Sequence, residues 1–326
     1  MNIRQVARIA GVSTATVSRV INGTGPVKPE TYEKVMRVVQ QEGFHPNLLG
    51  QKLRNAQTGM LLVLVSSIAN PFCALTVRGI EHEAERRGYH ILLCNSESNP
   101  EREKAYLELL RGKVVDGVIT MDATTRTAAL KEQIGDRPWV QCGEFEPGVA
   151  PYVSIDNHAA ALAVVAHLVA SGRTRIGLIG AKGEYMYARE RERGYRDGLA
   201  AAGLSFSKVE HADSVTEFAE GSKAYAAMHA RGESCDAVFA ISDVLACGAL
   251  NAATRAGRHV PGDLAIVGFD DLPYAEITSP MLTTVRQPMF DLGSNCARLL
   301  VDQIVGEERH DGGVILPWEL IRRGSA

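Results

Sequence analysis

VARIAGVSTATVSRVIN, residues 6–22, is typical of two short helices joined by a tight turn. Apolar residues recur at the spacing of one helical face, as Val6, Ile9 and Ala10 in the first half and Val17, Val20 and Ile21 in the second. Gly11 tolerates a positive φ and can end the first helix, and Ser13 can cap the second. The stretch therefore predicts a helix-turn-helix.

The outward face of the second helix carries short polar side chains around one arginine. Such a face can enter the major groove of DNA and present hydrogen-bonding atoms to base edges. The residues predicted to contact DNA are Ser13, Thr14, Ala15, Thr16, Arg19 and Asn22. An ordinary helical hairpin in an enzyme, with Arg19 as a solvated surface charge, remains the alternative on this local pattern.

The whole chain has 326 residues, of which 45% are hydrophobic and 22% charged, so we expect two or three domains with full cores. No apolar run approaches the roughly 20 residues that span a bilayer. The N-terminus enters a polar helix directly, which argues against a signal peptide. We therefore expect a cytoplasmic protein with no membrane partner.

The cysteines occur singly in apolar contexts, without a Cys-x-x-Cys pair or nearby histidines at ligand spacing. They are Cys73, Cys94, Cys142, Cys235, Cys247 and Cys296. We expect reduced, mostly buried thiols, no metal site and no cofactor.

Charge is unevenly distributed along the chain. Residues 1–58 hold eight Lys/Arg and three Glu, a balance of +5, so the net charge of −3 leaves −8 on the remainder. A small basic head on an acidic body fits phosphate binding that is confined to the head.

A third helix is predicted from Pro29 to about Gln41, where Tyr32, Val35, Met36 and Val39 share one face and Gly43 follows. Residues 44–58 read as a connector with one short helix after Pro46. Two turns with a central glycine are unstable alone in water, so this segment should order only against DNA and its own copy in a dimer.

From Met60 onward, short apolar runs alternate with amphipathic segments. Predicted strands are 60–66, 89–94, 117–121, 139–142, 153–155, 175–179, 237–241 and 264–269. Predicted helices are 72–87, 102–111, 159–170, 189–202, 217–230, 244–256 and 292–305. Strands that are apolar on both faces and separated by helices indicate parallel sheets covered on both sides. Two such sheets fit the count, and ligands bind at the carboxyl ends of their strands.

The head and connector resemble the LacI/GalR family of bacterial repressors, in the run from Ile3 to Asn22, the Phe44-His45-Pro46-Asn47 link and the Leu53-bearing connector. The resemblance implies that Thr14, Ala15 and Arg19 read bases, that Asn47 also contacts DNA, and that Leu53 wedges into the minor groove. Such a wedge costs a few kcal/mol of unstacking, which the resulting kink offsets. Gly50 departs from the Ala usual in the family, which weakens the hinge helix by about 1 kcal/mol.

The body is similar to that family too, whose own body is like a periplasmic sugar-binding protein with two α/β lobes around a cleft and three crossovers. The matching segments are 70–72, 115–117, 155–157, 191–195, 242–243, 268–271 and 282–288. Within the family, residues 144–147 and 152–157 look most like the cytidine-responsive branch.

The resemblance implies a helix-turn-helix domain at 1–45, a hinge helix and linker at 46–58, and an effector-binding and dimerisation domain at 59–326. This last domain would divide into an N-lobe of residues 59–156 with 286–314 and a C-lobe of residues 157–285 with 315–326. The fold class is thus an all-α head plus a periplasmic-binding-protein-like α/β body of two doubly wound lobes.

No catalytic motif is present: the chain lacks HExxH, GxSxG and a Walker loop, and its GxxGxxG at 177–183 differs from the dinucleotide fingerprint. What remains is a set of polar residues at strand ends that suits ligand hydroxyls, with Asp270 as acceptor and Arg191 as a forked donor. Ser242, Asp243 and Gln287 add polar reach. The alternative is that Asp270 caps a turn and Arg191 pairs with a neighbouring Glu.

The resemblance completes the predicted effector site with Phe72, Cys73 and Phe218. Relatives usually carry a ring-stacking aromatic five residues before the position of Gly221, where this chain has Thr216, and Phe218 is the candidate substitute. Arg191 and Asp270 lie about eighty residues apart, and we expect them to come together only around a bound ligand.

These patterns predict a transcriptional regulator, most simply a repressor, that binds a palindromic operator as a homodimer, with a tetramer left open. A sugar or nucleoside effector in the cleft would change its DNA affinity. Two alternatives are a solute-binding protein of the same body fold, which would need export, and a sugar-active α/β enzyme, which the missing motifs disfavour.

Overall fold

The computed structural model describes residues 2–22, 25–43, 57–123, 125–182, 185–230, 234–307 and 312–326, and the side chain of Asn22 is not among the parts described. The chain forms two compact units, Met1–Thr58 and Gly59–Ala326. Asn47, Leu53 and most of the predicted hinge lie outside the described residues.

The first unit contains α1 (Ile3–Ala10), α2 (Thr14–Asn22) and α3 (Pro29–Gln41). Gly11 adopts φ +62° at the C-cap of α1, and Ser13 Oγ accepts a hydrogen bond of 3.0 Å from the Thr16 N–H at the start of α2. These two contacts confirm the predicted turn, because each satisfies a helix end as the residue types require.

The core of this unit consists of Val6, Ala7, Ala10, Val17, Val20, Val35 and Val38. The prediction was wrong for Ile9 and Tyr32, which are 47% and 48% exposed. A helix turns about 100° per residue, so the direction shared by Val6, Ala7 and Ala10 points roughly 100° away from Ile9. Ala7 therefore takes the buried position that the sequence pattern assigned to Ile9.

The second unit alternates strands and helices almost throughout. Its strands are β1 (Met60–Val65), β2 (His90–Asn95), β3 (Gly117–Met121), β4 (Trp139–Cys142), β5 (Tyr152–Ile155), β6 (Ile176–Ala181), β7 (Lys208–Ala212), β8 (Ala237–Ala240), β9 (Ala265–Asp270), β10 (Thr283–Arg286), β11 (Gly313–Leu316) and β12 (Glu319–Ile321). Its helices are α4 (Pro71–Arg86), α5 (Pro100–Arg111), α6 (Thr127–Ile134), α7 (Asn157–Ala170), α8 (Met186–Ala201), α9 (Phe218–His229), α10 (Asp243–Arg255), α11 (Tyr274–Ile277) and α12 (Met289–Val305). None of the helices in the described parts of the chain is long and apolar enough to cross a membrane.

Two six-stranded sheets result, in the orders β11-β5-β4-β3-β1-β2 and β12-β10-β9-β8-β6-β7. All pairings are parallel except that of β10 with β12. The chain passes between the two sheets three times: after β5, after β10 and after β11. This confirms the predicted fold class of two doubly wound lobes with three crossovers.

Several elements escaped the sequence prediction, namely β7, β10, β11, β12, α6 and α11. β7 reads Lys-Val-Glu-His-Ala and lies at a sheet edge, where most of its side chains are only half-buried, so it lacks the continuous apolar run of the central strands. β11 and β12 are edge strands of four and three residues, too short to show a period. Predicted strands and helices otherwise match observed ones, with ends shifted by up to about three residues.

Helices α4 and α12 approach so closely that only glycine fits at their crossing. A Cβ at Gly293 would lie 1.9 Å from the Thr76 carbonyl oxygen, and a Cβ at Gly79 would lie 2.0 Å from the Phe290 carbonyl oxygen. The two glycines are reciprocal, so this helix pair tolerates a side chain on neither side.

Gly293→Ala should lower the urea midpoint of the second unit. Overpacking costs about 1–3 kcal/mol, which exceeds the gain of about 1 kcal/mol from replacing a helical glycine by alanine. Gly312→Ala is the matched control, because nothing lies within 4 Å of its Cβ position. Equal midpoints for the two variants would contradict the close crossing.

Candidate functional site: the exposed face of α2 and the cleft between the sheets

Several of the residues predicted to contact DNA lie on the exposed face of α2 or directly before it. Ser13, Thr14, Ala15 and Arg19 are exposed, whereas Thr16 is half-buried and its Oγ1 lies 2.9 Å from Ser13 Oγ. Neither α1 nor α2 contains an acidic residue, and Arg4 and Arg8 are also exposed. The surface is small, polar and basic, as an element that enters a DNA groove requires.

A cleft of about 1170 Å³ lies where the carboxyl ends of the two sheets face each other. Both lobes line it: Asp122 and Glu144 follow β3 and β4, whereas Lys182 and Asp213 follow β6 and β7. A deeper recess continues from it and is lined by Phe72, Asn157, Tyr187, Arg191, Ser242, Asp270 and Gln287, among others.

Arg191 forms part of the floor of this recess and is held by several neighbours. Its Nε donates to Asn157 Oδ1 at 2.8 Å and its Nη1 to the Ile241 carbonyl at 2.5 Å. The guanidinium also lies over the Phe269 ring, 3.5 Å from its centroid. This stacking and bonding fix the orientation of the planar donor group.

Asp270 ends β9 with φ +113°, a strained conformation for a non-glycine residue. Its Oδ1 accepts a hydrogen bond of 2.7 Å from Gln287 Nε2 and lies 3.8 Å from Arg191 Nη1. Burial raises the pKa of Asp270 to about 6, while the Arg191 charge and the Gln287 hydrogen bond oppose the rise. The two residues therefore meet directly as a buried charge pair.

That direct pair corrects the expectation that Arg191 and Asp270 need a ligand between them. A buried Arg191 or Asp270 without its partner would be an uncompensated charge, which is costly. The attraction between the two charges therefore explains why the side chains lie together without a ligand. The alternative that Arg191 pairs with a neighbouring Glu is wrong, because its acidic partner is Asp270.

Ser242 and Asp243 have structural tasks. Ser242 caps α10 by accepting from the Leu245 N–H at 3.2 Å, donates to the Val215 carbonyl, and borders the recess. Asp243 is fully buried, and its oxygens accept from the Leu272 N–H at 2.7 Å and from Thr284 Oγ1 at 2.6 Å. Asp243 does not line the cleft, so the structure does not bring it together with the other predicted ligand contacts.

Of the three predicted effector contacts Phe72, Cys73 and Phe218, only Phe72 lines the cleft or its recess. Phe72 lines the recess, but Cys73 is 1% exposed behind it, and burial raises the pKa of its thiol. Phe218 is 45% exposed, packs edge-on against Tyr274 and lies outside the cleft lining, whereas Thr216 lines it.

Comparisons with known proteins agree with this geometry. Residues 2–47 match the model for bacterial regulatory proteins of the lacI family, and residues 165–326 match the periplasmic binding protein-like domain. The chain is 34% identical over 325 residues to the HTH-type transcriptional repressor CytR of Escherichia coli K12, covering 99% of this chain and 95% of that protein.

The chain belongs to the LacI family. It is a DNA-binding transcriptional regulator rather than an enzyme, as the family and its named members establish. Among solved structures, the CelR–cellobiose complex aligns over the full length of both chains with 31% identity and a TM-score of 0.75. The lac repressor dimer bound to operator and the anti-inducer ONPF aligns over 100% of this chain and 98% of that one, with 25% identity and a TM-score of 0.90.

The sequence analysis missed several residues that line the cleft of this LacI-family chain, above all Asp122, Glu144, Asn157 and Tyr187. Asp122 and Glu144 follow predicted strands directly or within two residues, so the rule that ligands bind at carboxyl ends of strands could have found them. Asn157 begins a helix immediately after β5. Tyr187 lies in the first turn of α8, a position with no sequence signal.

The raised pKa of Asp270 predicts a pH-dependent stability. A carboxyl whose pKa rises on folding, here from 3.8 to about 6, stabilises the fold fully below about pH 4 and loses that contribution as the pH rises through about 6. Asn mimics the protonated acid, so the stability of Asp270→Asn relative to wild type should increase between pH 5 and pH 7.5 by about 1.4 kcal/mol, because about one pH unit of the titration lies above pH 5.

Urea unfolding at several pH values measures this difference. Asp136→Asn, at an exposed aspartate of the other lobe, is the control and should show no such trend. A pH-independent difference between wild type and Asp270→Asn would contradict the burial of an ionisable Asp270.

Proposed function

We propose that the protein binds a near-palindromic operator as a homodimer and that a polyhydroxyl effector in the cleft, a sugar or a nucleoside, changes its affinity for DNA. The observation that carries this proposal is the bonding of the cleft floor to two interlobe crossovers. Arg191 bonds to Asn157, just after β5, and Asp270 bonds to Gln287, just after β10. A ligand that engages Arg191 or Asp270 acts on groups that are already tied to the connections between the lobes.

The polar character of the recess supports a polyhydroxyl ligand. Arg191 offers fixed N–H donors and Asp270 retains acceptor capacity beyond the single Gln287 bond, so together they match the alternating donors and acceptors of sugar hydroxyls. The cleft volume of about 1170 Å³ is sufficient for a disaccharide or a nucleoside. CelR, whose structure aligns over the whole chain, contains cellobiose.

Coupling to DNA would follow from lobe movement. Gly59, at the start of the second unit, donates from its N–H to Asp116 Oδ2 at 2.6 Å, which ties the residue before β1 to the loop before β3. The N-lobe therefore carries the chain that leads to the hinge. Closure of the lobes on a ligand would shift the hinge segments of two protomers relative to each other and change their fit to DNA.

The proposals of a dimer and of a palindromic operator follow from the small size of the first unit. One three-helix unit covers too few base pairs for a selective site, and two copies related by a two-fold axis double the contacts. The lac repressor aligned above is a dimer on its operator. In this proposal Leu53 enters the minor groove between the half-sites, and Asn47 and Asn22 contribute further DNA contacts.

Arg19→Ala should weaken binding to a specific site by about 1–3 kcal/mol, because Arg19 is the only long donor on the exposed face of α2 and a bidentate contact to guanine is worth that much. The probe is a genomic fragment enriched by wild-type protein, compared with a random duplex of equal length. Filter binding at two salt concentrations gives both affinities.

Arg37→Ala is the matched control, since Arg37 is another exposed arginine of the first unit and lies on α3. It should leave the selectivity for the enriched fragment unchanged. If Arg19→Ala weakened both duplexes equally, Arg19 would be a phosphate contact and not a base reader.

Replacement of Asp270 should weaken effector binding by roughly ten-fold to a hundred-fold, because a buried ligand hydroxyl that loses its acceptor costs about 1–3 kcal/mol. Asp270→Asn is preferable to Asp270→Ala, since it keeps the shape beside Arg191. Calorimetry with D-ribose, cellobiose, cytidine and adenosine identifies a ligand, and the same titration with the variant measures the loss. A compound that alters operator binding but is held equally well by Asp270→Asn would show that the site is wrongly placed.

A further inference from the structure

The deep part of the cleft holds more negative than positive charge. Three carboxyl groups, those of Asp122, Glu144 and Asp270, interact there with a single buried guanidinium, that of Arg191. The other cations that line the cleft lie at its rim: Arg126, Lys182 and Arg189 are all exposed.

Two of these carboxyl groups have their donors within the protein. Asp270 is bonded to Gln287 and paired with Arg191. Glu144 accepts from the Met186 N–H at 2.8 Å and the Tyr187 N–H at 3.3 Å, at the N-terminus of α8. These donors partly compensate the two negative charges before any ligand arrives, although burial still raises the pKa of both carboxyl groups.

Asp122 differs from both. Within the described parts of the chain, no N–H or O–H group donates to its carboxylate, which faces the cleft and the recess. It follows β3 directly with φ +48°, a strained conformation that places the side chain between the lobes. A Cβ at Gly143 would lie 3.9 Å from Asp122 Oδ1 and 3.8 Å from Phe72 Cζ, so the carboxylate and the Phe72 ring both lie close to Gly143.

The surroundings of Asp122 disfavour its charge. Burial, Glu144 and Asp270 raise its pKa to about 7, and only Arg191 opposes them. The remaining titratable neighbours are Tyr187, Cys73 and Cys142. Burial raises the pKa of the first two and a hydrogen bond with Cys296 raises that of Cys142, and the charge of Asp122 adds to each rise. Within the described structure no hydrogen bond or ion pair reaches this carboxylate, so a cationic donor of a ligand would find an unpartnered acceptor there.

We propose that the effector carries a protonated amine on its polyhydroxyl frame and that Asp122 receives this amine. The inference rests on the proposed function and narrows its ligand class to amino sugars and related aminopolyols. An ammonium group supplies a charge-assisted hydrogen bond and removes the excess negative charge, whereas a hydroxyl supplies only a neutral donor. A phosphate or carboxylate on the ligand would add a like charge beside Asp122 and Glu144 and is excluded.

Matched compounds test the proposal by calorimetry with the full chain at pH 7.5. The probes are D-glucosamine with D-glucose, D-galactosamine with D-galactose, and the two N-acetylated sugars, in which the amine is blocked. In at least one pair the amino sugar should bind ten-fold or more tightly than both its parent and its N-acetyl form. Asp122→Asn should reduce that preference below about two-fold.

Glu146→Gln is the matched control, because Glu146 is an exposed carboxylate at the rim of the same cleft and its replacement makes the same charge change. It should keep the preference for the amine. A second measurement needs no variant: the wild-type preference should fall as the pH is lowered from 8 to 5.5, because Asp122 takes up a proton and loses its charge.

Each other outcome overturns the inference. A parent sugar that binds as tightly as its amine, a preference that survives Asp122→Asn, or a preference that is constant with pH would each exclude Asp122 as the amine acceptor. If only a compound without an amine binds and changes operator affinity, the proposed function stands and the inference that the effector carries an amine is wrong. If no probe binds, these amino sugars are excluded as ligands, and the DNA-binding proposal is still decided separately by Arg19→Ala.

Discussion

The buried pair of Arg191 and Asp270 is the interaction on which the cleft depends. Neither charge is tolerable alone at that depth, and their separation of 3.8 Å leaves room for further hydrogen bonds on both partners. Asn157 and Gln287 supply the bonds that orient them, and both lie at crossovers between the lobes. The same four side chains thus pair the charges of the floor, orient its donors and acceptors, and connect it to the chain segments that join the lobes.

Backbone strain is concentrated at this edge of the sheets. Asp122, Asp270 and Asp271 all adopt positive φ immediately after β3 or at and after β9. Conformations of this kind cost roughly 1–3 kcal/mol each for non-glycine residues and persist only where the surroundings hold them. Asp271 is held by an N–H donor of Arg286 at 2.7 Å and Asp270 by Gln287, whereas Asp122 has no comparable hydrogen bond in the described structure. The strained residue with the fewest internal partners is thus the one most available to a ligand.

Charge separates the tasks of the two units. The first unit exposes arginines on short helices without acids, which suits attraction to phosphates. The second unit carries the acidic excess of the chain and keeps part of it buried around the cleft. The two units therefore differ in the sign of their charge, and a surface that suits phosphates is confined to the first unit.

The sequence by itself determined the helix-turn-helix, the two parallel sheets and most of their elements, because these depend on local signals: Gly11 at a positive φ, Ser13 at a cap, and apolar runs at strand and helix periods. It also marked Arg191, Asp270 and Gln287 through their segments. The tertiary structure alone decided what those residues do. The Asp243 carboxylate accepts hydrogen bonds from Leu272 and Thr284 and does not line the cleft. Phe218 packs outside the cleft. Asp122 and Glu144 line the cleft from the opposite lobe. No local pattern reports these outcomes, because each depends on which distant side chain supplies a donor, and only the packing of one lobe against the other fixes that.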